Sequence, residues 1–106
     1  MTDNSRMLHL VNKSPFERNS LSSCLRLAKK GSAILLIEDG VYGALSETSV
    51  SAEVSAQIGN FDFYVLSEDL AVRGITEQPK IDGVTLVDYD GFVDLVAETS
   101  SVQSWL

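Results

Sequence analysis

The sequence predicts an α/β domain of three layers: a small, mainly parallel sheet with helices on both faces. Three observations carry that prediction. Ala33 to Ile37 is an unbroken aliphatic run, the mark of a strand covered on both faces, as in parallel sheets. Four strand-like runs alternate with helical segments, the order produced by crossover connections. Glycines stand where two helical patterns stop, at Gly31 and Gly74. A chain of 106 residues holds one domain. Residues 1–6 (MTDNSR) are polar and aperiodic, so they are expected to form a disordered or tag-like extension ahead of a single domain over 7–106.

Met7 to Val11, MLHLV, is short and apolar and reads as a central strand, with His9 on the opposite side from Leu8 and Leu10. Asn12 to Asn19 is a loop, because Pro15 forces Ser14 out of helical geometry. Asn19 or Ser20 can cap a helix that runs to Lys30. Leu21, Leu25 and Ala28 follow helical spacing and define its buried stripe, which puts Cys24 at the flank. The strand from Ala33 to Ile37 follows, and Glu38-Asp39-Gly40 turns the chain at its carboxyl end into a short helical start. Ser46 to Ser55 reads as a mobile connection or a short edge helix running to Ile58. Phe61 to Leu66 is a third strand, Ser67 caps a helix through Arg73, and Pro79 breaks the loop from Thr76 to Asp82. Val84 to Val87 is a fourth strand, and Asp88 or Asp90 caps a last helix through about Thr99. Val102, Trp105 and Leu106 are apolar for a terminus and must dock on this chain's core or on a neighbour.

The net charge of −7 argues against direct contact with nucleic acid, which needs a basic surface. The charge is unevenly spread. Residues 1–30 carry Arg6, Lys13, Arg18, Arg26, Lys29 and Lys30 against Asp3 and Glu17, a net +4, and the rest carry Arg73 and Lys80 against 13 acids, a net −11. Such polarity can orient a protein in an assembly. No secretory leader and no membrane span are expected, since the longest apolar run is five residues. A cytoplasmic, reducing setting would keep a lone thiol free.

One cysteine and one histidine exclude a disulfide framework and make a protein-only zinc site improbable. Phosphate-loop and dinucleotide fingerprints are absent, so no cofactor or metal is expected. A hydrolase would need a base and a nucleophile elbow, and His9, with no acid paired to it in sequence, reads as a packed or interface residue. The carboxylate pairs Glu38-Asp39 and Glu68-Asp69 sit at helix starts, where acids usually cap. What remains is Cys24, four residues into its helix, with Arg26 and Lys29 close in sequence but on other faces. It is the candidate catalytic residue, as a persulfide carrier, and equally a candidate packing thiol.

Five blocks in order, MLHLVNKSPFERNSLSSCL, AILLIEDGVYGAL, YVLSEDLAVRGI, VDYDGFVDL and VQSWL, resemble the DsrH/TusB family over nearly all of Met7 to Leu106. The resemblance implies a DsrE-like fold and membership in a hexamer with two copies each of three related chains, DsrE/TusD-like, DsrF/TusC-like and DsrH/TusB-like. Such complexes take persulfide sulfur from a TusA-like donor and pass it to a DsrC/TusE-like acceptor. The sulfur then serves either intracellular sulfur oxidation or 2-thiouridine formation in tRNA. A cysteine at the position of Cys24 and the wording NKSPFERNS resemble the DsrH branch, which implies the oxidation role. The family's principal sulfur-accepting cysteine lies on the DsrE/TusD-like chain, so the resemblance leaves Cys24 either an auxiliary carrier or no carrier at all.

Overall fold

A computed structural model of the chain describes residues 6–105. Its elements are β1 (Met7–Val11), α1 (Ser20–Leu27), β2 (Ala33–Leu36), a 3-10 helix (Glu38–Ala44), α2 (Ser51–Ser55), β3 (Asp62–Leu66), α3 (Ser67–Val72), β4 (Val84–Val87), α4 (Tyr89–Glu98) and β5 (Ser101–Trp105). The strands form one sheet in the order β4-β3-β2-β1-β5, and every pairing is parallel. From β1 the chain winds outward to β4, then α4 carries it back past the whole sheet to β5, beside β1.

Two apolar clusters give the layers. On one face Val11, Ile34, Leu36, Phe63 and Val65 meet Leu21, Cys24 and Leu25 of α1, Val41 and Ala44 of the 3-10 helix, Val54 of α2 and Leu70 of α3. On the other, Leu8, Ala33 and Leu35 pack with Leu95 of α4, and Phe92, Tyr64 and Leu10 join them. The alternation of strand side chains between the two sets follows from the pleat. Strand β2 is buried along its whole length, as its all-aliphatic composition predicts. Ile34, Leu35 and Leu36, all fully buried, each contribute roughly 1.5–3 kcal/mol of apolar transfer free energy.

Ser67 does not cap α3, whose N-cap is Leu66 with no side-chain capping bond. Three larger departures from the sequence reading shape the sheet and the setting of Cys24. First, the sheet has five strands among the described residues, because Ser101–Trp105 pairs along β1, with Val11 opposite Trp105. The apolar terminus therefore docks on its own sheet; Leu106 lies outside the described residues. Second, α1 stops at Leu27, and Ala28 is already extended at φ −69°, ψ 146°. Gly31, at φ +93°, makes the turn into β2 and does not close the helix. Third, Cys24 is no flank residue. Helix α1 packs over both β1 and β5, a sheet one strand wider than the sequence suggests, and it buries Ser20, Leu21, Cys24 and Leu25 together.

Helix α3 ends as its Gly signals. The N–H of Ile75 reaches the carbonyl of Leu70 and that of Gly74 the carbonyl of Ala71, with Gly74 at φ +67°, which satisfies two carbonyls at the helix end. Of the two residues proposed to cap α4, Asp88 does so, accepting from Gly91 N–H at 2.9 Å. At the other end of the chain, Arg6 pairs with Asp62 at 2.5 Å, and its carbonyl accepts from Ser100 N–H at 2.9 Å. Residues 1–5 of the expected extension lie outside the described residues.

Candidate functional site

The sequence directs attention to three places: Cys24, the acids at the carboxyl ends of the strands, and His9. The structure keeps them apart.

Cys24 lies wholly inside the larger core cluster, with no exposed surface. Its helix brings it there between Leu21 and Leu25, one turn behind the N-terminus. Burial pushes the thiol up to about 12, since a thiolate among aliphatic side chains would lose its hydration without a cation to replace it. A persulfide relay runs on a thiolate that can reach its donor. In this arrangement Cys24 is a small apolar group that fills space between helix and sheet.

At the carboxyl ends of the strands, where open α/β sheets usually place ligands, the acids hold the loops together. Asp69 accepts from the backbone N–H of Glu38 at 2.6 Å, and Glu68 from that of Tyr89 at 3.1 Å. Arg73 closes the set on Asp39 at 2.9 Å. Asp39 is an ion-pair partner; Glu68 and Asp69 are caps, as expected of acids at helix starts. They cap the neighbouring elements across the loops rather than their own helix, a relation visible only once β2, β3 and β4 stand side by side. Removing one such cap exposes an orphan N–H at a helix start. Asp69→Ala is expected to lower stability by about 1 kcal/mol, with Asp69→Asn losing less because it keeps an acceptor; urea unfolding of the two variants checks this.

His9 is buried at 3% exposure in the middle of β1. Its Nδ1 accepts a hydrogen bond from the indole Nε1–H of Trp105 at 3.0 Å, the two rings lying 6.0 Å apart and tilted by 46°. The bond fixes the neutral tautomer with the proton on Nε2. Burial lowers the imidazole's pKa, and a proton on Nδ1 would face the indole N–H, so both effects favour the neutral ring. The partner of His9 was not legible in sequence, because it belongs to the strand the sequence did not reveal. Among the described residues, no group of three or more His, Cys, Asp or Glu is placed to hold a metal ion, and no helix is long and apolar enough to cross a membrane.

The fold and the chain both have relatives. The crystal structure of the ychN protein from E. coli superposes with a TM-score of 0.81, covering 94% of this chain and 98% of that one at 18% identity, which establishes the shared α/β fold. Curated proteins named Protein TusB match along their entire length and over 93% of this chain: 35% identical in Pectobacterium parmentieri, 38% in Erwinia tasmaniensis and 34% in Escherichia coli K12. The family model described as DsrH like protein matches residues 13–102. With a family model across most of the domain and relatives similar from end to end, the chain belongs to the DsrH-like family.

Proposed function

We propose that the chain is a subunit of a cytoplasmic sulfur-relay complex, joining DsrE/TusD-like and DsrF/TusC-like chains in a hexamer that passes persulfide sulfur from a TusA-like donor to a DsrC/TusE-like acceptor. The end-to-end match to proteins named TusB carries this reading. The role we assign within the complex is assembly. Cys24 is buried and protonated, which favours keeping the travelling sulfur on a cysteine of another chain. The exposed apolar side chains of α4, Tyr89, Val93 and Val96, and Val102 on β5, are the kind of surface that a neighbouring subunit covers. Transfer on Cys24 itself would require α1 to lift off the sheet, exposing Leu21 and Leu25 along with the thiol.

Co-expression with the two partner-type chains and native mass spectrometry test the proposal. We expect a complex with two copies of each chain, and undiminished sulfur transfer to the acceptor when Cys24→Ala replaces the wild-type subunit. A chain that stays monomeric in their presence refutes membership. A sulfur adduct on Cys24, together with lost transfer in the variant, replaces the assembly role by the carrier role. The destination of the sulfur is read separately, from gene deletion. The TusB-named relatives favour loss of 2-thiouridine from tRNA, whereas Cys24 and the NKSPFERNS segment favour a defect in sulfur oxidation.

A further inference from the structure

Helix α1 stops at Leu27, three residues short of what its sequence pattern offers. Helices α1, α2 and α3 and the 3-10 helix lie on the face that carries His9 and Val11, and α4 crosses on the other. Beyond the end of α1 there is therefore a cavity of about 470 Å³ over β1 and β5, within the size range of small-molecule sites. Leu27, Ala28 and Trp105 supply apolar lining, and His9, Lys29 and Lys30 line it as well.

We propose that this cavity binds a small organic anion, a carboxylate or phosphate monoester carried on an apolar body about the size of one ring. Three independent features fit that ligand. His9 is buried and its Nδ1 is committed to Trp105, so the nitrogen left for a ligand is Nε2, a fixed N–H donor with no partner among the described residues. Lys29 and Lys30 make no ion pair or side-chain hydrogen bond among the described residues, in a chain whose residues beyond Lys30 carry a net −11. Arg6, the remaining cation of the lining, is held by Asp62 and is not needed. The apolar walls shelter the body of the ligand and lower the local dielectric around its charge, which strengthens the contact with ammonium and imidazole. An anion accepts from all three donors and compensates the ammonium charges; a neutral alcohol accepts without compensating charge, and a cation is repelled.

Trp105 is the only tryptophan, so the full chain reports on the cavity through its own fluorescence. Benzoate and phenyl phosphate serve as probes, benzyl alcohol as the ring without the charge and inorganic phosphate as the charge without the ring. We expect saturable changes in Trp105 emission with benzoate or phenyl phosphate, and the stronger of the two identifies the anionic group. Benzyl alcohol and inorganic phosphate should bind at least roughly tenfold more weakly. Lys29→Gln with Lys30→Gln should weaken the anions by a similar factor, while Lys29→Arg with Lys30→Arg retains them; both changes lie outside the helices and strands, and circular dichroism verifies the fold. The His9 Nε2–H resonance should shift on binding in the wild-type chain. The absence of a saturable response, equal binding of benzyl alcohol, or unchanged affinity in the Gln variant would overturn the proposal.

Discussion

Iodoacetamide is expected to modify Cys24 in the folded chain at least on the order of a thousandfold more slowly than in the urea-unfolded chain at the same pH. The thiolate is the reacting species, and its fraction falls tenfold for every unit by which the pKa exceeds that of an exposed thiol. Burial moves Cys24 from 9.0 to about 12, and the lack of any exposed surface slows the reagent further. The same shift couples the thiol to stability. Between those two values an unfolded chain has released the thiol proton and a folded chain still holds it, so unfolding becomes easier as pH rises through that interval. The contribution of Cys24 is intact below 9.0 and is lost progressively on the way to about 12. Tyrosines titrate in the same range, so the quantity to measure is the difference in unfolding free energy between wild type and Cys24→Ala. That difference should shrink as the solution is made alkaline. Equal labelling of folded and unfolded chains, or a difference independent of pH, would show that α1 opens freely and that Cys24 is available to a donor.

Why the sequence left the thiol undecided can be stated in terms of particular residues. The parallel sheet was legible because Ala33–Leu36 is aliphatic on both sides, a composition with few other uses. The cap of α4 at Asp88 and the stop at Gly74 were legible because they are local, decided within five residues. What decides the setting of Cys24 is not local. Helix α1 buries the thiol because β5 broadens the sheet beneath it, and SVQSW gives little sign of being a strand: four of its five residues are exposed, and its order comes from pairing with β1 at the far end of the chain. The Trp105–His9 bond was hidden for the same reason. The acids illustrate the intermediate case. Their capping role follows from residue type and position at helix starts, but the N–H groups they satisfy, at Glu38 and Tyr89, lie in other elements. The sequence pattern carries the helix on through Lys29 to Lys30, but the helix ends at Leu27. A helix stopping there turns two surface lysines into part of a cavity lining.

Gly40→Ala should be among the most damaging single methyl additions in the chain. Gly40 is the third residue of the 3-10 helix that leaves β2, and its backbone lies directly against the end of β1. A β-carbon built there falls 2.0 Å from the carbonyl oxygen of Val11 and 2.8 Å from its carbon. That oxygen is already the acceptor for Ile37 N–H at 3.0 Å, the bond that ties the exit of β2 to β1. The methyl cannot be accommodated by a side-chain rotation, because the obstacle is backbone. Either the 3-10 helix moves off, carrying Val41 and Ala44 out of the core and straining the Asp69 contact at Glu38, or β1 shifts and its register with β2 is disturbed. Overpacking of this kind costs about 3 kcal/mol or more, a large share of the stability of a small domain, and should lower the melting temperature by on the order of 15 °C. Gly59→Ala is the matched control. Its added β-carbon meets nothing within 4 Å, and its φ is not positive, so the same chemical change there should leave the melting temperature nearly unmoved. If the two variants melt alike, the contact between Gly40 and Val11 does not hold the carboxyl end of the sheet together. If only Gly40→Ala collapses, the close approach of two backbones, and no chemistry of a side chain, explains why glycine follows the acidic pair Glu38-Asp39.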